Sequence, residues 1–152
     1  MKTLEMMNKE ADAVIFKWSA GGMLGNALFL PPFDYVAEAA AMAKMGYEIS
    51  KVYGLQIGTT ELKEIAKTVL KGIGAVGTAG RVALGILKYV PGVNVGVLFI
   101  QPPLVAALSY ATGKTYKNYC VSLLISDRKL TNDEIKRIAK QAYTDKRKEK
   151  TV

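Results

Sequence analysis

Two glycine-rich stretches of this sequence look like loops that bind nucleotide phosphates. The first, GIGAVG at residues 72–77, fits the pattern G-x-G-x-x-G of dinucleotide-binding proteins. That pattern works only in a turn between a strand and a helix, with an acidic residue about 20 positions later for the ribose. Here an amphipathic stretch precedes it, and Lys88 to Val97 contains no acid. We therefore expect no dinucleotide site at these glycines.

The second stretch, ATGKTY at residues 111–116, contains the GKT of a phosphate-binding loop. The full motif needs another glycine five residues before Gly113, where this chain has Leu108. Without that glycine, the backbone N–H groups cannot form the cradle that holds phosphate. Lys114 fits the end of an apolar helix instead, where a long side chain reaches back to water. We expect no bound ATP or GTP, and the sequence implies no cofactor.

Other groups capable of chemistry lack the partners that this chemistry needs. The chain has no histidine, which excludes His-dependent triads and the common zinc sites. Asp34 and Glu38 are one helical turn apart, but a cap at the start of a helix explains Asp34. Glu61 and Glu64 sit among lysines. Cys120 has no base beside it, so we expect an inert, buried side chain. The sequence predicts no catalytic residue, no metal site and no enzyme.

The composition is that of a globular protein with a basic C-terminal part. Half of the 152 residues are hydrophobic and 22% are charged, which excludes a disordered chain. Residues 115–152 contain ten Lys or Arg and five Asp or Glu, and so carry +5 of the net charge of +8. A solvated helix with a frayed basic tail is the favoured interpretation, and attraction to anionic lipid or nucleic acid is the alternative. The expected contacts to an anionic membrane are Lys146, Arg147, Lys148 and Lys150.

The first residues show no export signal. The stretch MKTLEMMNKEADAVIF carries acidic residues and has no apolar core followed by a cleavage site. The single cysteine excludes an internal disulfide and favours a reducing compartment. We therefore expect a cytoplasmic protein, with a place at the inner membrane as the alternative.

An apolar seam runs along the predicted N-terminal helix, residues 1–18. Its members recur at alternating spacings of three and four residues: Leu4, Met7, Ala11, Val14 and Trp18. A helix this short is not stable alone, so the seam must pack against something. A stripe on the C-terminal helix is an available partner, in the same chain or another: Ile135, Ile138, Ala139 and Ala142. We expect a homo-oligomer that residues 1–18 help to hold together.

Three further segments have the periodicity of helices. Tyr35 to Tyr53 is followed by Gly54, a natural C-cap. Residues 62–73 show the i, i+3, i+4, i+7 pattern without a miss. The last helix starts at TNDE, where Thr131 and Glu134 form a capping box. No segment alternates long enough for a strand, so the fold is predicted to be all-α, in one domain of residues 1–152 with three parts: 1–18, 18–119 and 120–152.

The apolar middle of the chain is divided by proline pairs. Residues 18–33 and 89–113 contain no charged residue, and the second run is long enough to be a transmembrane candidate. Each run holds a proline pair, and the first also leads to an aspartate: Pro31, Pro32 and Asp34, then Pro102 and Pro103. Because a proline pair disturbs a helix, each is predicted to form a corner between two helices. Two apolar hairpins result, residues 18–53 and 82–119, packed in protein or in lipid.

Several of these landmarks together resemble one bacterial family of unknown function. The stretches that carry the resemblance are FLPPFDYV, YEISKVYGLQIG, GRVALGILKYVPGVN and LSYATGKTY, within residues 18–119. Members of that family occur as the C-terminal domain of some membrane-associated GTPases and as YcjF-like inner-membrane proteins. The positions that fit its pattern are Pro31, Pro32, Asp34, Tyr53, Gly54, Gly80, Arg81, Pro91, Gly92, Ala111, Gly113 and Tyr116. The PPFD corner and Ser109 depart from it.

The resemblance implies a membrane-proximal helical domain that works with, or beside, a GTPase, and it supplies no catalytic residues. The leading function is therefore a non-enzymatic, self-associating helical module near a membrane. The alternatives are an adaptor subunit for a separately encoded GTPase and a membrane-inserting protein. A nucleic-acid binder is disfavoured, because the chain has no recognition motif or aromatic platform.

Overall fold

The structure, a computed structural model, describes the backbone of residues 2–20, 35–88 and 94–150 and the side chains of residues 2–18, 42–73 and 107–146. This backbone forms α-helices and contains no strand, so the predicted all-α fold is confirmed for the described residues. The helices are α1 (Leu4–Ala20), α2 (Tyr35–Val52), α3 (Thr59–Lys88), α4 (Asn94–Ser126) and α5 (Asn132–Lys150).

Helix α4 lies at the centre of the bundle and contacts each of the other four helices. Helix α1 packs on α2 and α4, and helix α3 packs on α2, α4 and α5. A helix enclosed by neighbours is apolar on most sides, and this explains why the sequence of α4 shows no polar face. The buried residues of its described turns are Ala107, Leu108, Ser109, Ala111, Thr112, Gly113, Thr115, Tyr116, Tyr119 and Cys120.

The local signals for α2, α3 and α5 are confirmed. Helix α2 spans Tyr35–Val52, and Gly54 follows it with φ of 69°, the left-handed conformation of a C-cap. At the start of α5, the Glu134 N–H donates to Thr131 Oγ1 at 3.2 Å, and the Thr131 N–H donates to Glu134 Oε1 at 3.1 Å. The predicted stripe of α3 is buried throughout: Leu62, Ile65, Ala66, Val69, Leu70 and Ile73.

Tyr116 joins three helices at the middle of the core. Its hydroxyl donates a hydrogen bond of 2.8 Å to the carbonyl of Leu62 on α3. Its ring lies against Gly46 on α2, where an added Cβ would be 2.6 Å from the ring. Any larger residue at position 46 would therefore collide with the tyrosine, so a glycine is needed for this helix contact.

The second predicted corner is wrong. Helix α4 runs from Asn94 to Ser126 and so passes through Pro102 and Pro103. Proline removes only its own backbone donor and disturbs the turn before it, and the remaining bonds of a long helix keep it continuous. The second hairpin is formed instead by α3 and α4, which contact each other. The first corner lies outside the described residues: Pro31, Pro32 and Asp34.

Candidate functional site

Both glycine motifs lie inside helices. Residues 72–77 are part of α3, and a Cβ on Gly72 would be 2.9 Å from the Cα of Lys136 on α5. The GKT stretch is part of α4, and a Cβ on Gly113 would be 2.5 Å from Cγ1 of Ile15 on α1. Each glycine thus permits a close contact between helices. Neither motif has the helix N-terminus or loop that would hold phosphate.

Glu61 has a structural role that its sequence context did not reveal. The Tyr119 hydroxyl on α4 donates a hydrogen bond to its carboxylate, and Lys129 Nζ lies 3.0 Å from it. The bond from Tyr119 lowers the pKa of Glu61, partial burial opposes that effect, and Lys129 lowers the pKa further. A general acid needs the opposite shift. This carboxylate ties α3 to α4 and to the segment before α5, a long-range link that sequence spacing cannot indicate.

Cys120 is buried on α4, as the sequence predicted. Burial raises the pKa of its thiol to about 12, so the thiol is neutral near pH 7. A nucleophilic cysteine needs a lowered pKa and access to solvent. The surroundings of Cys120 therefore suit packing and do not suit covalent chemistry.

The described side chains form no metal site. Among them, no three His, Cys, Asp or Glu residues are close enough to hold an ion. The side chains of Asp34 and Glu38 lie outside this part of the chain. That the protein takes no metal and no cofactor stays a prediction.

The N-terminal seam packs inside its own chain. Ala11 and Trp18 are buried, and Leu4, Met7 and Val14 are half-buried against the same core. The described residues of α1 contact α2 and α4 and make no contact with α5. Pairing of the seam with the C-terminal stripe is therefore wrong within the chain, because α3 and α4 already cover α5.

The packing of α1 against its neighbours includes Ile15, which the predicted seam did not contain. Ile15 is 4% exposed and fills the space over Gly113. The spacing of three and four selected one narrow line, whereas α1 buries a wider face because it lies against two helices. Polar contacts border this face: Lys117 to Asp12 at 2.8 Å, Lys17 to Glu48 at 2.8 Å, and the Tyr53 hydroxyl to Asn8 Oδ1 at 2.6 Å.

Two buried polar atoms, one on α1 and one on α4, have no hydrogen-bond partner among the residues that the structure describes. They are Nε1 of Trp18 and Oγ of Ser109. Elsewhere on α4, the hydroxyls of Thr112 and Thr115 each donate to a carbonyl one turn earlier, at 2.7 and 2.8 Å. A buried polar group without a partner costs about 1–3 kcal/mol. The hydrogen bonding at these two atoms is therefore less complete than at Thr112 and Thr115.

Lys146, where the basic end of α5 begins, lies beside Tyr110, a member of the uncharged stretch of the sequence, residues 89–113. Helix α5 folds back on α4, and Lys146 Nζ lies 5.4 Å from the ring centroid of Tyr110. Tyr110 belongs to the uncharged stretch. One of the predicted membrane contacts, Lys146, is thus next to apolar chain. The other three belong to α5, but their side chains lie outside the described part: Arg147, Lys148 and Lys150.

Large apolar side chains on the described surface are spread over α1, α2 and α4. Phe16 is 72% exposed and Ile125 is 65% exposed, and Met6, Tyr47 and Leu124 are exposed to a smaller degree. Over the part of the chain that the structure describes, no helix has an apolar stretch of the length that a bilayer crossing requires.

Comparison with known proteins identifies a family and nothing beyond it. No curated protein and no solved structure matches the chain. The family described as a domain of unknown function, DUF697, matches residues 2–148. This match confirms the resemblance seen in residues 18–119 and extends it to α1 and α5. The chain therefore belongs to the DUF697 family, whose function is unknown.

Proposed function

We propose that this protein is a non-enzymatic helical module that docks on an anionic membrane surface. The contact between Lys146 and Tyr110, at 5.4 Å, carries the proposal. It puts Lys146, where the basic end of α5 begins, beside Tyr110, which belongs to the uncharged stretch of the sequence. An anionic bilayer attracts lysine and arginine and accepts apolar side chains beside them. Neither feature alone would favour a membrane as strongly as the two together.

The order of the helices also supports the choice of the end that carries Lys146 as the docking end. Tyr119 near the end of α4 bonds Glu61 near the start of α3, so these two helices run in opposite directions. Helix α3 continues past its last described side chain, Ile73, to Lys88, and α4 begins at Asn94. The antiparallel order therefore directs both extensions toward the end that carries Lys146.

The ionisable groups inside the bundle fit a module without catalysis. The pKa of Cys120 is raised to about 12 by burial, and the pKa of Glu61 is lowered mainly by Tyr119. A nucleophilic thiol and a general acid need shifts in the other directions. Cys120 acts in packing and Glu61 in a cross-link between helices, and neither group indicates a chemical reaction.

Vesicle sedimentation tests the proposal. We expect the full chain to bind vesicles that contain phosphatidylglycerol, to bind phosphatidylcholine vesicles less, and to dissociate as salt shortens the screening length below about 10 Å. Replacing Lys146, Arg147, Lys148 and Lys150 by glutamine should weaken binding by about 1 kcal/mol for each charge near the surface. Equal binding to both kinds of vesicle, or no binding to either, would contradict the proposal.

Self-association through α1 is a second candidate, and the exposure of Phe16 favours it. This side chain is 72% exposed on the helix whose opposite face holds Ile15 and Trp18 in the core. A second copy can thus contact α1 without displacing it. Light scattering on the full chain and on Phe16→Ser tests this, because an oligomer should become a monomer in the variant. A monomer in both samples would refute it, and the GTPase-adaptor role stays a prediction.

A further inference from the structure

The described lysines of α1 are ion-paired, whereas the α3–α5 side carries both paired cations, Lys67, Arg128 and Lys129, and unpaired ones. On the α1 side the pairs are Lys2 with Glu10 at 2.8 Å, Lys9 with Glu5 at 3.8 Å, Lys17 with Glu48 at 2.8 Å and Lys117 with Asp12 at 2.8 Å. On the α3–α5 side, four exposed cations have no acidic partner among the described residues: Lys71, Lys136, Arg137 and Lys140. We call these four residues the basic ridge.

Gly72 brings the basic ridge together. Its position against the Cα of Lys136, where a Cβ would be at 2.9 Å, holds α3 and α5 unusually close. Lys71 directly precedes Gly72, and Arg137 and Lys140 continue the exposed side of α5 within about one turn of Lys136. Like charges on neighbouring exposed surfaces repel each other, and an anion between them lowers that repulsion.

Acidic residues near the basic ridge do not neutralise it. Asp133 lies one turn before Lys136 and Arg137 on α5, and it makes no ion pair within the described part of the chain. Glu64 lies on the exposed side of α3 and already pairs with Lys67 at 3.4 Å. Asp133 offsets part of the positive charge of the ridge, which stays net positive.

We propose that the basic ridge binds the phosphate headgroups of anionic lipids and so determines which side of the bundle faces the bilayer. This inference rests on the proposed function and adds the orientation to it. Helix α5 carries three of the four ridge residues on its exposed side, whereas Lys146 continues its inward side and lies beside Tyr110, so the ridge adds an outward-facing charged surface to the same helix. Four clustered cations without protein partners complement an anionic surface directly.

A bilayer fits the ridge better than a nucleic acid does. Helix α5, which carries three of the four ridge residues, ends beside Tyr110 of the uncharged stretch, and such apolar sequence favours a membrane as the partner. Single-stranded nucleic acids are bound by basic grooves with aromatic side chains on which bases stack, and the four ridge residues include none. Duplex binding therefore becomes an outcome to exclude by experiment.

The test compares two variants of equal net charge. The ridge variant is Lys71→Gln, Lys136→Gln, Arg137→Gln and Lys140→Gln, and the control is Lys2→Gln, Lys9→Gln, Lys44→Gln and Lys51→Gln on α1 and α2. All eight side chains are exposed. On phosphatidylglycerol vesicles we expect the ridge variant to bind about fivefold more weakly per charge, or several hundredfold in total, and the control to stay within about threefold of the parent chain.

Each outcome bears on a separate claim. Equal losses in the two variants overturn the ridge and leave the proposed function standing, whereas a parent chain that binds no anionic vesicle overturns both. A parent chain that prefers a DNA duplex, with that preference lost in the ridge variant, assigns the ridge to nucleic acid. If circular dichroism shows that the ridge variant unfolds, Lys71→Gln with Lys140→Gln replaces it, with a loss of about 25-fold expected.

Discussion

The contact of α1 with α4 and the contact of α3 with α5 each depend on a glycine, but the group that lies against the glycine differs between them. At Gly113 the neighbouring group is the side chain of Ile15, whose Cγ1 would be 2.5 Å from an added Cβ. At Gly72 it is the backbone of Lys136, whose Cα would be at 2.9 Å. A side chain can change its rotamer, but a helix backbone can only move as a whole.

The polar and charged groups around the two contacts also differ. Helix α1 is bordered by ion pairs such as Lys117 with Asp12, and the buried N–H of Trp18 near its end has no partner within the described part of the chain. The α3–α5 contact has unpaired cations on its exposed side, which favour an external anion. We infer that α3 and α5 form the firm base of the bundle, whereas α1 is the helix whose removal costs least.

The largest expected effects come from filling the two glycines. Gly72→Ala and Gly113→Ala should each lower the free energy of unfolding by about 1–3 kcal/mol, because each overfills a packed contact. Truncating the neighbour should separate the cases. Ile15→Ala should offset part of the cost of Gly113→Ala, whereas Lys136→Ala should leave the cost of Gly72→Ala unchanged, since the Cα remains. Urea unfolding of the single and double variants measures both couplings.

Gly58 provides the control for these substitutions. Nothing lies within 4 Å of a Cβ added there, and its φ is not in the left-handed region. Gly58→Ala should therefore leave the stability unchanged or raise it by up to about 1 kcal/mol. If the free-energy changes of Gly113→Ala and Ile15→Ala simply add in the double variant, the contact at Gly113 is no more adaptable than the contact at Gly72.

Removing single tyrosine hydroxyls should give the next largest effects. Tyr116→Phe removes a buried hydrogen bond to the Leu62 carbonyl and should cost about 1 kcal/mol. Tyr53→Phe removes a bond to Asn8 at the edge of α1 and should cost about half as much, because water can replace it there. Thermal unfolding of both variants gives the comparison. A larger loss for Tyr53→Phe would mean that α1 is held more firmly than its contacts suggest.

The sequence predicted those features that local chemistry determines. The stripe of α3, the capping box at Thr131 and Glu134, and the C-cap at Gly54 depend on residues within one or two turns, and each is confirmed. The interpretation of both glycine motifs as lying outside any phosphate loop is confirmed for the same reason. For GIGAVG the preceding stretch had helical periodicity, and for GKT the first glycine of the motif was missing at Leu108.

Features that depend on distant residues could not be read from the sequence. Ile15 meets Gly113, and Tyr119 bonds Glu61, only because the bundle brings separate helices together. A helix enclosed on all sides has no periodicity, so the path of α4 through its prolines was misjudged. The basic run that begins at Lys146 was visible in the sequence as a cluster of charge. The basic ridge was not, because it depends on the close approach at Gly72.

Smaller effects are expected from neutralising one cation in each region. Lys117→Gln breaks the ion pair with Asp12 and should lower the free energy of unfolding by up to about 1 kcal/mol. The loss arises because the Lys117 side chain is only 13% exposed, and it stays small because Asp12 is solvated. Lys140→Gln should leave stability unchanged or raise it slightly, since it relieves repulsion in the basic ridge. Chemical unfolding at low and high salt measures both, and equal losses would show that the charges of the two regions do not differ.

The smallest effect is expected in acid, at the ion pair that precedes α5. Arg128 donates two hydrogen bonds to Glu134, at 2.7 and 3.0 Å, and these bonds, with the Thr131 N–H, lower the pKa of Glu134 to about 2. A carboxyl with a lowered pKa in the folded state contributes stability above its ordinary pKa and loses it as the pH falls through the lowered value. The contribution of Glu134 should therefore disappear between the ordinary pKa of glutamate, about 4.3, and about 2.

Acid unfolding of the parent chain, Glu134→Gln and Glu5→Gln measures this contribution. Glu5 pairs with Lys9 at 3.8 Å on the surface of α1, so its variant serves as the matched control from the other region. We expect the stability of Glu134→Gln to change less steeply with pH in acid, because the titrating group is gone, while Glu5→Gln follows the parent chain. Parallel curves for all three proteins would mean that solvent and salt already screen the pair with Arg128. In that case the bidentate contact stabilises the start of α5 through its geometry and not through its charge.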